Sequence, residues 1–367
     1  MQPKFGPKLQ DIWERVDAIS PADYARSRNY LNGAVTYLSP YVSRGVISTK
    51  QIMERLLQNG HSIFQMEALL KELAWRDYFQ RVAQHKSMDE EIKQAQGKCT
   101  NYLIPQAVIE ANTGIEAIDT AIKNLQTTGY LHNHLRMYIA SICCNVAQSH
   151  WKMPSKWMYY YLLDADFASN TCSWQWVAGA NSSKLYYANQ ENINKYTHSQ
   201  QQDTFLNTSY ERLAAMPVPK ELCTLTSFQA KTVLPEPSEI FINKELPTLV
   251  YTIYNLDPIW HATGNYNRIL LLEPSHFDKY PMANLSMDFM FQLAHQIPGV
   301  QVFVGSFAQL KVLAEPTKII YKEHPLQMGF SGIQEHRDWM VAGVADYFPS
   351  FFAFWKQMSK SLYTHYK

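Results

Sequence analysis

The stretch YYYLLDADFASNTCSWQWVAG, which runs from Tyr159 to Gly179, decides how the first half of this sequence is interpreted. Two aspartates, Asp164 and Asp166, stand among tyrosine, leucine, phenylalanine and tryptophan residues. Burying a carboxylate among aromatic side chains is costly unless a cation or hydrogen-bond donors pair with it. The stretch therefore predicts a paired, polar feature inside an aromatic core.

Arg136 is the candidate partner for a buried aspartate. It lies in TGYLHNHLRMYIAS (128–141), where polar residues interrupt an apolar helical pattern. A guanidinium can bind Asp164 through two parallel hydrogen bonds and lower the cost of burying it. From the residues alone, a structural ion pair and a functional site both remain open.

Length and composition describe a globular chain with a large core. The 367 residues are 46% hydrophobic, and 33 Lys and Arg against 32 Asp and Glu leave a net charge of +1. This balance excludes a generally basic protein that coats nucleic acid, but it permits a local basic cleft. Aromatic residues make up 13% of the chain, which suits either a core of large side chains or stacking on flat ligands.

The sequence predicts a cytoplasmic monomer without a metal site. Its N-terminal residues contain no apolar signal segment, and its most apolar stretch, Met137–Ala147, is too short to cross a bilayer. The five cysteines include no C-x-x-C pair, which argues against a disulfide framework and against a zinc or iron–sulfur site.

The hydrophobic pattern changes period along the chain. From Gln10 to about Leu213 apolar residues recur near every 3.6 positions, which predicts helices. After a segment without periodicity, short β-rich runs alternate with helical ones, which predicts a parallel sheet covered on both faces. We therefore predict a mainly α domain at 1–213, a linker at 214–247 and a small Rossmann-like α/β domain at 248–367.

Within the α/β segment the pattern predicts four strands, two helices and a helical tail. The predicted strands are 248–256, 268–273, 300–305 and 317–323, the helices are 287–296 and 307–314, and the tail is 334–360.

The helical half closely resembles the FAD-binding domain of DNA photolyases and cryptochromes, from about Tyr24 to Gly179. The motifs that match in order are YARSR, VTYLSPY, ELAWRDYF, DTAI, TGYLHNHLRM and LLDADFASNTCSWQW. The resemblance implies a non-covalently bound FAD. Photolyases begin with an α/β antenna domain, so the order found here implies that this domain has moved to the C-terminus. Whether it binds a second, antenna chromophore stays open.

The resemblance also implies which residues contact FAD. Arg136 and Asp164 would pair over the flavin, Asp166 would bond to the edge of the isoalloxazine, and Asn170 would face flavin N5, a position that is Asn in photolyases. Val35–Ser39 corresponds to a phosphate-contacting motif, although Val35 and Tyr37 depart from it. The remaining cofactor-binding residues implied are Tyr24, Thr36, Ser39 and Arg76.

Two further sets of residues follow from the same resemblance. A pocket for a flipped-out pyrimidine dimer would hold the lesion by stacking and by hydrogen bonds to its edges, and its residues would be Glu72, Trp75, Asn133, Met137 and Trp176. The electron relay that photoreduces the flavin would use Trp174 and Trp151, with Tyr102 as candidate for its surface member.

The leading functional prediction is a deoxyribodipyrimidine photo-lyase, which repairs cyclobutane pyrimidine dimers in DNA by light-driven electron transfer from reduced FAD. One alternative is a cryptochrome-like flavin photoreceptor without repair activity, and a weaker one is a structural protein with a relic pocket. Repair of the (6-4) photoproduct normally uses pocket histidines, and His132 and His134 lie nearby. DNA affinity is expected to come from a local basic rim and to weaken as salt rises.

Overall fold

The computed structural model describes residues 4–327 and 329–366, and the first half of the chain is helical, as predicted. Its helices are α1 (Leu9–Asp17), α2 (Pro21–Ser27), α3 (Ser39–Ser43), α4 (Thr49–Gln58), α5 (Ile63–His85), α6 (Gln106–Ile109), α7 (Glu116–Thr128), α8 (Asn133–Ser141), α9 (Lys152–Tyr161), α10 (Phe167–Val177), α11 (Gln190–Thr197) and α12 (Tyr210–Ala215). A π-helical turn, Ile142–Val146, continues α8, and a 3₁₀ turn, Lys220–Leu222, follows α12.

The second half contains the predicted parallel sheet. Two short strands, β1 (Ile104–Pro105) and β2 (Leu225–Thr226), pair antiparallel before it. The sheet region then runs through β3 (Thr248–Tyr251), β4 (Asn267–Leu272), α13 (Pro274–Lys279), α14 (Asn284–Ala294), β5 (Val300–Val304), α15 (Phe307–Ala314), β6 (Ile319–Lys322), β7 (Ile333–Glu335) and α16 (Phe351–His365). The five strands are parallel in the order β5-β4-β3-β6-β7.

The strand order reverses at β3. The chain enters the sheet at its centre, moves outward through β4 to β5, and returns to place β6 on the other side of β3. Thr248 of β3 is in register with both Asn267 and Ile319. Loops that leave two adjacent strands in opposite directions open a crevice at the carboxyl ends of those strands. This strand order therefore predicts a crevice between the carboxyl ends of β3 and β6.

The predicted tail and the predicted absence of strands in the first half need correction. The tail was expected to be helical over 334–360, but Ile333–Glu335 forms the edge strand β7 and the helix begins only at Phe351. The parallel neighbour β6 supplies the hydrogen-bond partners of β7, which local periodicity cannot reveal. In the same way, β1 interrupts the helical half because a distant segment pairs with it.

The chain packs as two compact units, and neither is continuous in sequence. The sheet unit comprises residues up to Ala22, Thr36–Gln84 and the chain from Lys231 onward. The helical unit comprises Asp23–Val35 and His85–Ala230. The division at 1–213, 214–247 and 248–367 follows changes of sequence pattern instead and stays a prediction.

The core of the helical unit is built from α7 to α10. Their apolar faces meet around three large, nearly inaccessible side chains, Trp151, Trp157 and Trp174, which are 2%, 0% and 2% exposed. Close packing at this density holds the ends of the helices in fixed positions. The polar residues of the candidate site lie at those ends.

In the sheet unit, α16 packs along α5. Its buried residues recur at helical spacing and are Phe351, Phe354, Trp355, Met358 and Leu362. Burying a side chain of this size stabilises the fold by roughly 1.5–3 kcal/mol relative to leaving it exposed. With five such side chains, α16 is a fixed part of this unit.

Candidate functional site

Arg136 and Asp164 form the ion pair that the sequence predicts. Arg136 Nη2 lies 2.8 Å from Asp164 Oδ2, and Nη1 lies 3.3 Å from Oδ1. The Asp164 side chain is 8% exposed, whereas that of Arg136 keeps 23% exposure. The carboxylate is therefore buried, and part of the guanidinium remains accessible to a ligand.

The turn between α7 and α8 holds the two partners together. Gly129 ends α7 with a φ of 69°, and its carbonyl accepts a hydrogen bond from Leu163 N at 2.9 Å. Leu131 O accepts a second bond, from Arg136 Nε, at 2.9 Å. A Cβ on Gly129 would lie 2.6 Å from Leu163 Cγ, so this close approach requires glycine. The turn thus carries Arg136 on one side and the segment of Asp164 on the other.

Asp166 and Asn170 occupy the first turn of α10. Asp166 is the N-cap, since its Oδ1 accepts from Ser169 N at 2.8 Å. Asn170 donates from Nδ2 to the Ser155 carbonyl of α9 at 3.0 Å. Because a carbonyl can only accept, the amide is oriented with its nitrogen toward Ser155 and its Oδ1 on the opposite side.

This set of polar groups fits an isoalloxazine ring. The ring offers N–H donors at N3 and, when reduced, at N5, together with carbonyl acceptors, so it needs acceptors and a cationic donor around one edge. Asp166 and Asn170 Oδ1 are acceptors, and Arg136 is a donor. Ser169 Oγ, beside them in the sequence, is a buried hydroxyl that no group of the described residues hydrogen-bonds.

The other residues implied to bind the cofactor are divided between the two units. Tyr24 lies in the helical unit, where it is 9% exposed. Thr36, Ser39 and Arg76 lie in the sheet unit. Thr36 is partly exposed and Ser39 is exposed, while Arg76 Nη2 donates to the Val42 carbonyl at 3.2 Å.

The five residues implied to receive a lesion are also divided. In the sheet unit, Glu72 and Trp75 are partly exposed residues of α5. In the helical unit, Asn133 is exposed at the first position of α8, Met137 is partly exposed one turn later, and Trp176 is 38% exposed. None of the five is fully buried, although Met137 packs against the core that contains Trp151, Trp157 and Trp174.

The three residues implied to form the electron relay lie in the helical unit. Trp151 and Trp174 belong to its hydrophobic core, whereas Tyr102 is 71% exposed. The Tyr102 ring stacks on His150 at 4.8 Å between centroids, and His150 lies 5.5 Å from Trp151. His150 also bonds to Glu91 at 2.9 Å. His150 was not predicted from the sequence, and it places a ring between the exposed Tyr102 and the buried Trp151.

The sequence also gave no signal for a cavity of about 440 Å³ in the sheet unit. It opens where the strand order reverses. Its lining includes Asn255, Asp257 and Trp260 after β3, and Lys322 and Glu323 at the end of β6. Lys322 pairs with Asp257 at 3.1 Å. Asn255 is 5% exposed, and within the described residues its Nδ2 has no hydrogen-bond partner.

Three cysteines and one histidine of the helical unit are buried, and burial shifts the pKa of each toward the neutral form. Burial raises the pKa of the Cys143, Cys144 and Cys172 thiols. Burial also lowers the pKa of His132 to about 4, and His132 Nδ1 accepts from His134 N at the start of α8. The described residues contain neither a cluster of three or more metal-ligating side chains nor a helix with the length and apolarity required to cross a membrane.

Comparison with known proteins identifies the helical segment. Residues 69–223 match the family described as the FAD binding domain of DNA photolyase. The deoxyribodipyrimidine photo-lyase of Alkalihalophilus pseudofirmus is 30% identical over 156 residues, which are 41% of this chain and 32% of the relative. The Vibrio cholerae enzyme of the same name is 31% identical over 166 residues, 42% of this chain and 35% of the relative. The Synechocystis cryptochrome structure has a TM-score of 0.47 at 23% identity and covers 53% of this chain and 44% of its own.

This segment of the chain is similar to the FAD-binding domain of DNA photolyases. The domain is an FAD-binding domain, and FAD is its cofactor. The chain spans about a third of the length of the curated relatives it matches.

Proposed function

We propose that this protein repairs cyclobutane pyrimidine dimers in DNA, using light absorbed by its reduced FAD. The observation that carries the proposal is the ordered polar set at α8 and α10, namely the Arg136–Asp164 pair with Asp166 and Asn170. It lies inside the segment that matches the FAD-binding domain of DNA photolyase. When bound, reduced FAD supplies the excited-state electron that opens the cyclobutane ring.

Each member of the polar set has a separate role toward the cofactor. Arg136 would donate to the flavin edge and balance negative charge on the reduced ring, while Asp164 holds the guanidinium in place. Asp166 is fixed by its bond to Ser169 N and would accept from the N–H at N3. Asn170 directs Oδ1 away from Ser155 and would accept from the N–H at N5, which would favour reduced flavin.

The exposed residues support repair over a purely signalling role. Trp176, a large aromatic residue, keeps 38% exposure, and Asn133 is exposed on α8. Aromatic faces stack on bases, and an amide can bond both a carbonyl and an imide N–H of a pyrimidine. A damaged base pair is also cheaper to unstack than an intact one. These side chains are the ones we propose to contact the dimer, together with Glu72, Trp75 and Met137.

His132 favours the cyclobutane lesion over the (6-4) photoproduct. Its pKa is lowered to about 4, first by burial and then by the neighbouring His134. It is 6% exposed, and its Nδ1 is occupied by the backbone of α8. A neutral, buried histidine with this helix-start contact does not supply a proton to a substrate near neutral pH.

For photoreduction, we propose that Tyr102, Trp151 and Trp174 form the electron relay. The stacking of Tyr102 on His150, and of His150 beside Trp151, supports this route from the surface to the core. Tyr102, at 71% exposure, is accessible to a reductant in solution.

We also propose that the cavity of the sheet unit holds a second chromophore. Its volume suits a small planar ligand, and the unpaired Asn255 Nδ2 supports a ligand with an acceptor at its edge. Denaturing the purified protein and separating the released chromophores tests this. A second absorbing compound supports it, and release of FAD alone from protein purified in native form contradicts it.

The repair proposal is tested with two defined substrates. Photoreduced protein is mixed with oligonucleotides that carry either one cyclobutane dimer or one (6-4) photoproduct, and each lesion is counted after blue light and after darkness. Light-dependent loss of the cyclobutane dimer alone supports the proposal. A flavin-loaded protein that repairs neither lesion would be a photoreceptor, and repair of the second lesion alone would assign the other enzyme class.

A further inference from the structure

Trp75, one of the residues that we propose to contact the lesion, has one face covered from within the sheet unit. The rings of Trp75 and Phe351 are stacked with a centroid separation of 3.7 Å and an interplanar angle of 9°. Phe351 is 3% exposed, whereas Trp75 remains partly exposed. One surface of the indole is therefore packed, and another stays accessible.

The position of Phe351 is set by the helix that it begins. Ser350 caps α16 by accepting from Ala353 N at 3.3 Å. One turn later, the Phe354 ring contacts Tyr78 of α5 at 5.6 Å. These contacts lie on either side of the Trp75 stack, so Phe351 is held where it is by α16 and by α5.

The same helices are joined further along their lengths. Lys71 Nζ lies 5.5 Å from the centroid of the Trp355 ring, and Tyr363 stacks on Phe64 at 4.8 Å. Contacts spread over four turns make α16 a support for α5. A lid over Trp75 would instead need few anchoring contacts so that it could leave.

We propose that Phe351 is a positioning residue for lesion binding, which fixes the indole of Trp75 from behind. This inference rests on the proposed repair function. A tryptophan that is free to rotate must be immobilised when a base stacks on it, and that loss of rotamer freedom weakens binding. Stacking on Phe351 removes the freedom before the lesion arrives, and leaves the accessible side of the indole for the dimer.

The neighbouring phenylalanine provides a matched control. Phe352 is the next residue of α16 and is 74% exposed. Its ring meets the edge of Phe351 at 5.9 Å, and Phe352→Ala removes the same side chain while it keeps both rings of the Trp75–Phe351 stack. Phe351→Tyr keeps a planar ring behind the indole. Phe351→Leu keeps most of the apolar volume but removes the ring, and it replaces Phe351→Ala if the alanine variant does not fold.

The experiment measures the dissociation constant for dimer-containing and undamaged oligonucleotides, together with the FAD content and the repair rate at saturating DNA. Phe351→Ala is expected to weaken dimer binding on the order of five- to tenfold, with unchanged FAD content and an unchanged saturated rate. Phe351→Tyr should restore the affinity, and Phe352→Ala should not alter it.

Two results would overturn the inference and leave the repair proposal standing. If folded Phe351→Ala binds the dimer with unchanged affinity, Phe351 only packs in the core and does not position Trp75. Tighter binding in that variant would make α16 a cover that the lesion displaces. A wild-type protein that does not distinguish dimer-containing from undamaged DNA would instead remove the repair proposal and this inference with it.

Discussion

Asn170 donates its side-chain amide to the Ser155 carbonyl at 3.0 Å, and this single hydrogen bond decides which atom of Asn170 can meet a cofactor. The nitrogen is occupied by α9, so the oxygen lies on the other side. An acceptor opposite flavin N5 stabilises the N–H of reduced flavin. In the proposed site, where Asn170 faces flavin N5, this contact would connect the packing of α9 against α10 to the redox state of the cofactor.

Asn170→Ala is expected to fold and to bind FAD, but to lose the fully reduced flavin in air and, with it, most dimer repair. The variant leaves no charge unpaired, so the cost to stability is that of one neutral hydrogen bond, about 1 kcal/mol. Absorption spectra during photoreduction measure the effect. Ser155→Ala is the control, because it keeps the backbone carbonyl that orients Asn170. Normal photoreduction in Asn170→Ala would show that Asn170 does not stabilise reduced flavin.

Asp164→Ala should release FAD and lower the free energy of unfolding by about 3 kcal/mol, because it leaves the Arg136 guanidinium without its carboxylate. The 23% exposure of Arg136 keeps the cost near the lower end of the range for buried pairs. Denaturant unfolding and flavin content measure the two effects. Asp17→Ala, which breaks the exposed pair with Arg55, should keep FAD and cost less stability, since exposed pairs contribute about 0–1 kcal/mol. Retention of FAD by Asp164→Ala would exclude Asp164 from the flavin site.

Gly129→Ala tests whether the turn before α8 positions the ion pair. A left-handed alanine alone costs roughly 1–2 kcal/mol, and at this position the new Cβ also meets Leu163 at 2.6 Å. We expect a larger loss of stability and weaker FAD binding. Gly114→Ala is the matched control. Its φ of +78° imposes the same left-handed backbone, but no atom lies within 4 Å of the added Cβ. Equal effects of the two substitutions on FAD affinity would show that the close approach at Gly129 is unimportant.

The fold class could be predicted because it depends on local hydrophobic patterns. The division into two compact units and the stacking of Phe351 on Trp75 could not, because both depend on contacts between distant residues. Helical spacing located α8 and α10, and apolar runs located β3 to β6. The pairing of β7 with β6 and the stacking of Phe351 on Trp75 join residues far apart in the chain. Periodicity did indicate a helical tail, but it could not indicate which helix the tail would pack on.

The candidate site shows the same limit. The charges of Arg136 and Asp164 predicted their pairing, because a buried carboxylate requires a partner. His150 was not predicted, since a lone histidine in a sequence is most often a core or surface residue, and only the stacking distances connect it to Tyr102 and Trp151. The orientation of Asn170 likewise depends on a carbonyl of another helix.

Tyr102→Ala should slow blue-light photoreduction of oxidised FAD while leaving dimer repair by chemically reduced protein unchanged. The substitution removes the exposed end of the ring series that passes through His150, but it does not touch the polar set at α8 and α10. Flavin absorbance under illumination with a soluble reductant gives the rate. Tyr210→Ala, a 46% exposed tyrosine elsewhere on the helical unit, is the control, and equal rates for both variants would remove Tyr102 from the relay.

The lowered pKa of His132 predicts that the free energy of unfolding falls in mild acid. Its folded-state pKa is lowered from 6.5 to about 4 by burial, so the unfolded chain binds the proton first. The stability that neutral His132 contributes is therefore present above pH 6.5 and is lost as the pH falls toward 4, by roughly 3 kcal/mol. His132→Asn keeps a side-chain acceptor for His134 N and should remove this part of the slope. An identical pH profile in the variant would assign the acid sensitivity to other groups.

The action spectrum for dimer loss tests the central claim most directly. Reduced protein and dimer-containing DNA are illuminated at a series of wavelengths, and the remaining dimers are counted at equal photon dose. The account predicts that repair per photon follows the absorption of the reduced, protein-bound flavin, with any second chromophore adding its own band, and that no repair occurs in darkness. Persistence of the dimers at every wavelength, in protein shown to hold reduced FAD and to bind the DNA, would contradict it.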